Sequence, residues 1–253
     1  MKLNSIRIVL IETSHPGNIG STARAMKTMG LTQLYLVSPK SFPDSKAYEL
    51  AAGADDILDN AVVVQSLPEA IGQCNLVLGT SARPRDISLP GLTPKAQAEL
   101  IHNSPDTTHT AILFGREHAG LTNDELLHCH YHINIPSNPD YSSLNLAQAV
   151  QIIAYEIRMQ LLSPKASVAM EADTLATTKE VELFYEHLKS VLIDIDFLKP
   201  SNPKRLMQRI KRLYNRIKLE TMEINILRGI LTQIQRTIKN KNDVKPNRSD
   251  DGN

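Results

Sequence analysis

The chain has 253 residues, with 28 Lys and Arg against 27 Asp and Glu, 42% hydrophobic residues and only 4% aromatic ones. That length suits one large domain, or a domain of roughly 150 residues with a smaller appendage. The apolar fraction, the 11 Gly and the two Cys exclude disordered, collagen-like and disulfide-stapled classes, and no apolar run approaches the roughly 18 residues of a membrane span.

The first 160 residues alternate two kinds of segment. Ile6–Ile11, Gln33–Val37, Ala61–Val64, Leu76–Thr80, Ala111–Phe114 and Tyr131–Ile135 are short apolar runs bounded by Gly, Pro or Asn, the mark of buried strands. Met1–Ser5 leads straight into the first of them, without a signal-peptide core. Helix patterns fill the gaps: Ile19–Met29 stopped by Gly30, Ser45–Ala52, Leu67–Cys74, and Thr93–His102 after the Pro90-Gly91 turn. The longest is Asn145–Leu162, with Leu146, Ala149, Val150, Ile153, Ile157 and Leu161 on one face. Such alternation predicts an α/β domain over residues 1–162, built on a mostly parallel sheet covered on both faces.

Ser163–Thr178 has no strong period and reads as a linker over residues 163–178. Beyond it, Lys179–Ile195 and Leu219–Lys239 are amphipathic helix patterns flanking a third helix after Pro200-Ser201-Asn202-Pro203. A small C-terminal all-α appendage is therefore expected over residues 179–239, and a polar, disordered tail over 240–253. Three short helices bury limited area, so the appendage is expected to need a docking surface on a partner or a second subunit.

Charge is unevenly spread. Residues 1–178 hold twelve of the basic residues and the last 75 positions hold sixteen. Lys199, Lys204, Arg205, Arg209, Lys211, Arg212, Arg216 and Lys218 follow one another with no acid between them. A field of one sign points to a polyanionic partner, nucleic acid first, where a plain solvated helix face would interleave Glu or Asp. With no Trp, 7 Tyr and 4 Phe, contact with phosphates is expected rather than base stacking.

Three loops place polar residues, and the first two of them glycine, directly after strands, where open α/β sheets bind ligands. In Glu12–Arg24, Gly17 and Gly20 permit tight turns and the next helix offers N–H groups to an anion. Asn18 can orient a hydroxyl or phosphate, and Arg24 falls on the side of Gly20. The plain alternative is a strand-to-helix turn with Arg24 in a surface ion pair. In Phe114–Glu125, Gly115 and Gly120 bracket four residues, but Leu121-Thr122 stands where a phosphate loop needs Lys-Ser/Thr, so that reading fails. What remains is a turn carrying Arg116 and Glu117, then a Thr122/Glu125 capping box. In Ile135–Asn145, Tyr141, Ser142, Ser143 and Asn145 crowd the start of the longest helix, more than capping requires.

His128, His130 and His132 alternate, which would put them on one strand face. No second Cys/His pair completes a tetrahedral set, so packing is favoured over metal binding. Cys74 and Cys129 lack a partner motif, which fits a reducing compartment, the cytoplasm.

Those three loops, in this order, resemble the three motifs of the SpoU branch of the SPOUT RNA 2′-O-methyltransferases. The match is carried by Asn18-Ile19-Gly20 with Arg24, Phe114-Gly115-Arg116-Glu117 with Gly120-Leu121, and Ile135-Pro136 with Ser142-Ser143-Leu144-Asn145-Leu146. Val9–Gly30, Gly79–Arg83, Tyr141–Arg158 and Glu223–Ile230 are further similar to one tRNA-modifying group of that family, which acts on the ribose at position 32 of the anticodon loop. The resemblance implies a trefoil-knotted α/β domain, a homodimer, and S-adenosyl-L-methionine held by Thr80, Ser81, Ala82, Gly115, Ile135, Ser142, Ser143 and Leu144. It further implies catalytic roles for Arg24, Asn18, Glu117, Ser143 and Asn145. The basic run, with Lys204, Arg205, Arg209 and Arg212, is expected to bind tRNA. No metal and no membrane are expected to take part. Two rivals stay open: a methyltransferase of ribosomal RNA, and a non-catalytic RNA-binding relative.

Overall fold

The computed structural model describes residues 3–81, 89–163, 174–199 and 204–243. After a short 3₁₀ turn, the chain runs β1 (Ile6–Ile11), α1 (Pro16–Met29), β2 (Gln33–Val37), α2 (Ser45–Ala51), α3 (Asp55–Asp59), β3 (Val62–Val64), α4 (Leu67–Ile71), β4 (Leu76–Thr80), β5 (Gly91–Leu92) and α5 (Pro94–Asn103). It continues through β6 (Thr110–Phe114), α6 (Asn123–Leu126), β7 (Tyr131–Ile133) and α7 (Leu146–Leu162), then α8 (Thr178–Asp194), α9 (Lys204–Asn215) and α10 (Thr221–Asp243). The strands form one seven-stranded sheet in the order β3-β2-β1-β6-β4-β7-β5, and every pair in it is parallel.

The strand side chains divide between two cores by parity, as alternating Cβ directions require. Ile6, Ile8 and Leu10 of β1, with Ile112 and Phe114 of β6, join α1, α5 and α7 on one face. Val9 and Ile11, with Ala111 and Leu113, join Leu67, Ala70, Ile71 and Cys129 on the other. The expected covering of both faces is therefore present. The Asn145–Leu162 pattern is α7 capped by Asn145, and its Leu146, Val150, Ile153 and Ile157 are buried within this chain.

Three short elements escaped the sequence. β5 is two residues long and exists through its pairing with β7. α3 and α6 span five and four residues, too short for a helical period to show. The expected strand Tyr131–Ile135 ends at Ile133, just after which the Asn134 amide donates to the Ser81 carbonyl at 3.1 Å. Helix Leu67–Cys74 likewise stops at Ile71.

The three C-terminal helices pack around Phe184, Tyr185, Val191, Leu219, Ile224 and Leu231, with the Tyr214 ring edge-on to Phe184 at 5.0 Å. The docking surface expected on a partner is supplied by the chain's own α/β domain. The Thr178 backbone N–H and hydroxyl both donate to the Cys74 carbonyl at 2.9 Å, and the Asn75 amide donates to Leu175 O at 2.7 Å. Asn215, buried, donates to the Leu127 carbonyl and accepts from the Tyr185 hydroxyl. Of the expected linker, residues 164–173 lie outside the described residues, while Leu175 forms a bridge with Glu220. Residues 244–253 of the expected tail also lie outside them.

Gly20 sits where α1 crosses α2, and a Cβ there would stand 1.9 Å from the Ala47 carbonyl oxygen. Backbone cannot retreat as a side-chain tip can. Gly20→Ala should therefore lower stability by about 1–3 kcal/mol, read as a clear fall in melting temperature, with the helix content of the folded protein unchanged.

Candidate active site

β6, β4 and β7 are neighbours in the sheet, and the segments leaving their C-terminal ends enclose a cleft of about 930 Å³, open mouth included. Thr80, Ser81, Gly115, Ile135, Ser142, Ser143 and Leu144 all line it; Ala82 lies outside the described residues. Ile133, Leu146 and Ala149 add an apolar wall that the sequence reading did not assign to the site. The signal was present for two of them: Leu146 and Ala149 stand one and four residues past the Asn145 cap, on one side of a helix. The Thr80 hydroxyl is committed to Leu113 O at 2.9 Å.

Gly115 has no alternative. A Cβ there would lie 2.1 Å from the Gly120 carbonyl carbon, because the Arg116–Gly120 turn folds back on itself. That turn aims Glu117 away from solvent and at the segment before α1. Its carboxylate accepts from the backbone N–H of Ser14 and of His15 at 3.2 Å, from the Ser14 hydroxyl at 3.0 Å and from the Asn18 amide at 3.0 Å. The anion expected at this helix start is thus not a ligand but the chain's own Glu117. Burial works against ionisation, yet the Asn18 amide and the backbone donors prevail and hold the carboxyl down at about 2.

The Asn18 amide is used at both ends, for its oxygen accepts from the Asn145 side chain at 2.9 Å. Asn145 in turn caps α7 by accepting from Ala147 N at 2.9 Å. Glu117, Asn18 and Asn145 therefore join the three sequence loops in one line. Arg116 anchors the same turn from behind. It grips Glu12 with two hydrogen bonds, of 3.0 and 2.6 Å, and Glu125 with a third at 3.1 Å, while Glu125 closes the capping box with Thr122. Glu12 is held at φ 47°, a left-handed conformation rare for a residue with a side chain.

A family model described as the SpoU rRNA Methylase family matches residues 5–155. The chain belongs to the SpoU methylase family. A second model, the C-terminal domain of the tRNA methyltransferase TrmJ, matches residues 179–243. A Photorhabdus laumondii protein named tRNA (cytidine/uridine-2′-O-)-methyltransferase TrmJ is 49% identical over 239 residues, covering 94% of this chain and 99% of the relative. A Pseudomonas aeruginosa protein named tRNA (cytidine/uridine/adenosine-2′-O-)-methyltransferase TrmJ is 50% identical over 247 residues, covering 94% and 96%. The solved structure of TrmJ from Z. mobilis ZM4 matches with a TM-score of 0.81 at 33% identity, over 90% of this chain and 98% of that one.

In this SpoU methylase, Arg24 is exposed on α1 and is not among the residues lining the cleft of its own chain. Gly20 is sealed against α2, so the two do not share one binding surface. The three histidines do not converge either. Burial pushes His130 down to about 4, where its Nδ1 accepts from Val77 N at 3.1 Å. His128 lies 3.4 Å from Glu182 and His132 meets Leu89 O. Among the described residues no group of three His, Cys, Asp or Glu could hold a metal ion, and no helix is long and apolar enough to cross a membrane. Both thiols are buried, which pushes Cys74 up to about 11 and Cys129 higher still. Of the basic run, Lys211 pairs with Glu182 at 2.8 Å and Lys218 lies over the Tyr131 ring at 5.0 Å.

Glu117 sets a pH window. Its carboxyl titrates lower when folded than the ordinary 4.5 of the unfolded chain, so its contribution is complete above about pH 5 and is lost as the pH falls towards 2. Glu117→Gln should be less stable at pH 7 by about 2 kcal/mol, a figure discounted for partial exposure, and should show a flatter stability profile between pH 5 and 2 in denaturant titrations.

Proposed function

We propose that this chain transfers the methyl group of S-adenosyl-L-methionine to the ribose 2′-hydroxyl of cytidine or uridine at position 32 of the tRNA anticodon loop, working as a homodimer with a trefoil-knotted α/β domain. The observation that carries this reading is that the second and third motif loops line one cleft and the first is tied to both through Asn18, in a chain that also bears a basic helical appendage. The cleft suits the cofactor. Ile133, Ile135, Leu144, Leu146 and Ala149 offer an apolar wall for an adenine face, and Ser142 and Ser143 bring polar groups to the edge, the mix of apolar lining and few polar groups usual for small-molecule sites. When bound, S-adenosyl-L-methionine supplies a methyl group already activated on sulfonium sulfur.

The protein's task is then to place a ribose oxygen in line and take its proton. Arg24 is not among the residues lining the cleft of its own chain, which fits the role that the family resemblance implies for it, serving the cleft of a second copy. A guanidinium stays protonated, since arginine's pKa exceeds roughly 12. Arg24 therefore clamps the 2′-hydroxyl and the neighbouring phosphate, and that phosphate or a water accepts the proton. Ser143, exposed at the cleft, contacts substrate. Asn18, Glu117 and Asn145 hold the loops that carry these groups. The apolar stripe of α7 is spent on this chain's own core, so the face offered to the second copy is a different one. Tyr155, Met159 and Leu162, 48%, 37% and 66% exposed, follow at spacings of four and three on one side of α7. Lys204, Arg205, Arg209 and Arg212 hold tRNA phosphates.

Nucleoside mass spectrometry of tRNA incubated with the protein and isotopically labelled S-adenosyl-L-methionine should find 2′-O-methylcytidine or 2′-O-methyluridine at position 32. Label appearing only in ribosomal RNA, or in no RNA, refutes the reading. Arg24→Ala should cost about 10²–10³ in rate while calorimetry finds cofactor affinity unchanged. Mixing that chain with an Ala149→Trp chain, whose cleft is filled, should restore activity, because the open cleft then receives Arg24 from its neighbour. Absence of rescue in a verified heterodimer would place the whole site within one subunit.

A further inference from the structure

α9 is docked in a way that gives its charge a direction. Three contacts fix its course along the α/β domain: Lys218, just past its end, lies over Tyr131 at the start of β7; Asn215 donates to the Leu127 carbonyl; and Gln208, two turns nearer the helix start, donates to Asp124 at 3.3 Å. The next residue, Glu125, is the one gripped by Arg116 at the cleft wall. The helix thus climbs from the N-terminal edge of the sheet towards the edge where the cleft opens. Its rise from Asn215 to Arg205 is about 15 Å, comparable with the roughly 13 Å of extended chain from Tyr131 to Ile135 at the cleft. Its N-terminal half therefore lies nearer the cleft end of the sheet than its C-terminal half does, against α6.

The docking also sorts the basic residues. Lys211 is held by Glu182, which also faces His128, and Lys218 is held by Tyr131. Arg205, Arg209 and Arg216 are exposed and Arg212 half-buried. At about 100° per residue Arg205, Arg209 and Arg212 fall within about 60° of one another, on a side next to the docked face, and Arg216 is the first residue past the helix. A helix face that carries three arginines and no acid, continued by Arg216, gives the charge a direction along α9.

We propose that this arginine line is a track that delivers RNA to the cleft of the same chain, not to that of the second copy. The claim rests on the tRNA methyltransferase reading above and adds which appendage serves which site. Each productive cleft then combines Arg24 from one copy with its own α9. Arg216, outside the set singled out from the sequence, belongs to the track, while Lys211 and Lys218 do not.

Paired heterodimers test this. A chain carrying Arg205→Ala, Arg209→Ala, Arg212→Ala and Arg216→Ala should fold normally, since these side chains lie outside the packed face, and should bind S-adenosyl-L-methionine as the parent does. In the first heterodimer, Ala149→Trp and the four arginine changes share one chain and the other chain is unaltered; the open cleft keeps its own track, and about half the parent rate is expected. In the second, Ala149→Trp is on one chain and the four changes are on the other; the open cleft has lost its own track. At about 0.15 M salt its rate should be at least tenfold below the first, with KM for tRNA raised and the slope of log KM against log salt flattened. Equal rates in the two heterodimers, or a faster second one, overturn the proposal. Failure of the tRNA reading itself would appear earlier and separately, as absence of methylated tRNA with the unaltered protein.

Discussion

The cleft depends on a carboxylate placed where an anion is most easily held. The N–H groups ahead of α1 and the positive end of that helix would attract any negative group, and Glu117 arrives there from a loop a hundred residues away. Several donors on one charged acceptor make bonds stronger than neutral ones. The price of burying the charge is met because its partners are fixed by backbone. From this one contact the line through Asn18 to Asn145 follows, and with it the position of α7, whose first turn is a wall of the cleft.

Arg116 does the complementary work from the other side of the same turn. Its planar fork spans Glu12 and Glu125 at once, which a lysine ammonium on a flexible stem would not reproduce. The pair with Glu12 holds the end of β1 in a left-handed conformation, and strain of this kind persists only where surrounding contacts over-determine it. Glu125 is lowered into the cap of α6, and α6 is the element against which α9 rests. One five-residue turn therefore touches the cleft, the start of α1 and the seat of the appendage. The sheet makes this possible: β1 and β6 are adjacent parallel strands, so the loops leaving both emerge at one edge, where open α/β sheets bind ligands.

Much of this was legible before any coordinates. Six of the seven strands and the principal helices are visible because a buried strand is an unbroken apolar run and an amphipathic helix repeats every 3.6 residues. The Thr122/Glu125 capping box and the Asn145 cap are local chemistry, settled within four residues of sequence. The cleft residues Thr80, Ser81, Gly115, Ile135 and Ser142–Leu144 could be named because ligand loops follow strand ends and their motifs resemble those of a known family. β5 and α3 were invisible, since two and five residues carry no period.

What the sequence determined by itself is the set of groups: three polar loops, two of them glycine-bearing, one acid, two amides, a run of cations. Only the tertiary structure decided how they are spent. It gave the start of α1 to Glu117 instead of a ligand, because no local pattern reveals which distant side chain will fill a helix terminus. It enclosed the α7 stripe in this chain's own core, because periodicity says that a face is buried but not against what. It left Arg24 outside the cleft of its own chain. And it held Lys211 and Lys218 against Glu182 and Tyr131 while leaving Arg205, Arg209 and Arg216 exposed, since charge in a sequence has sign and spacing but acquires direction only when the helix that bears it is docked.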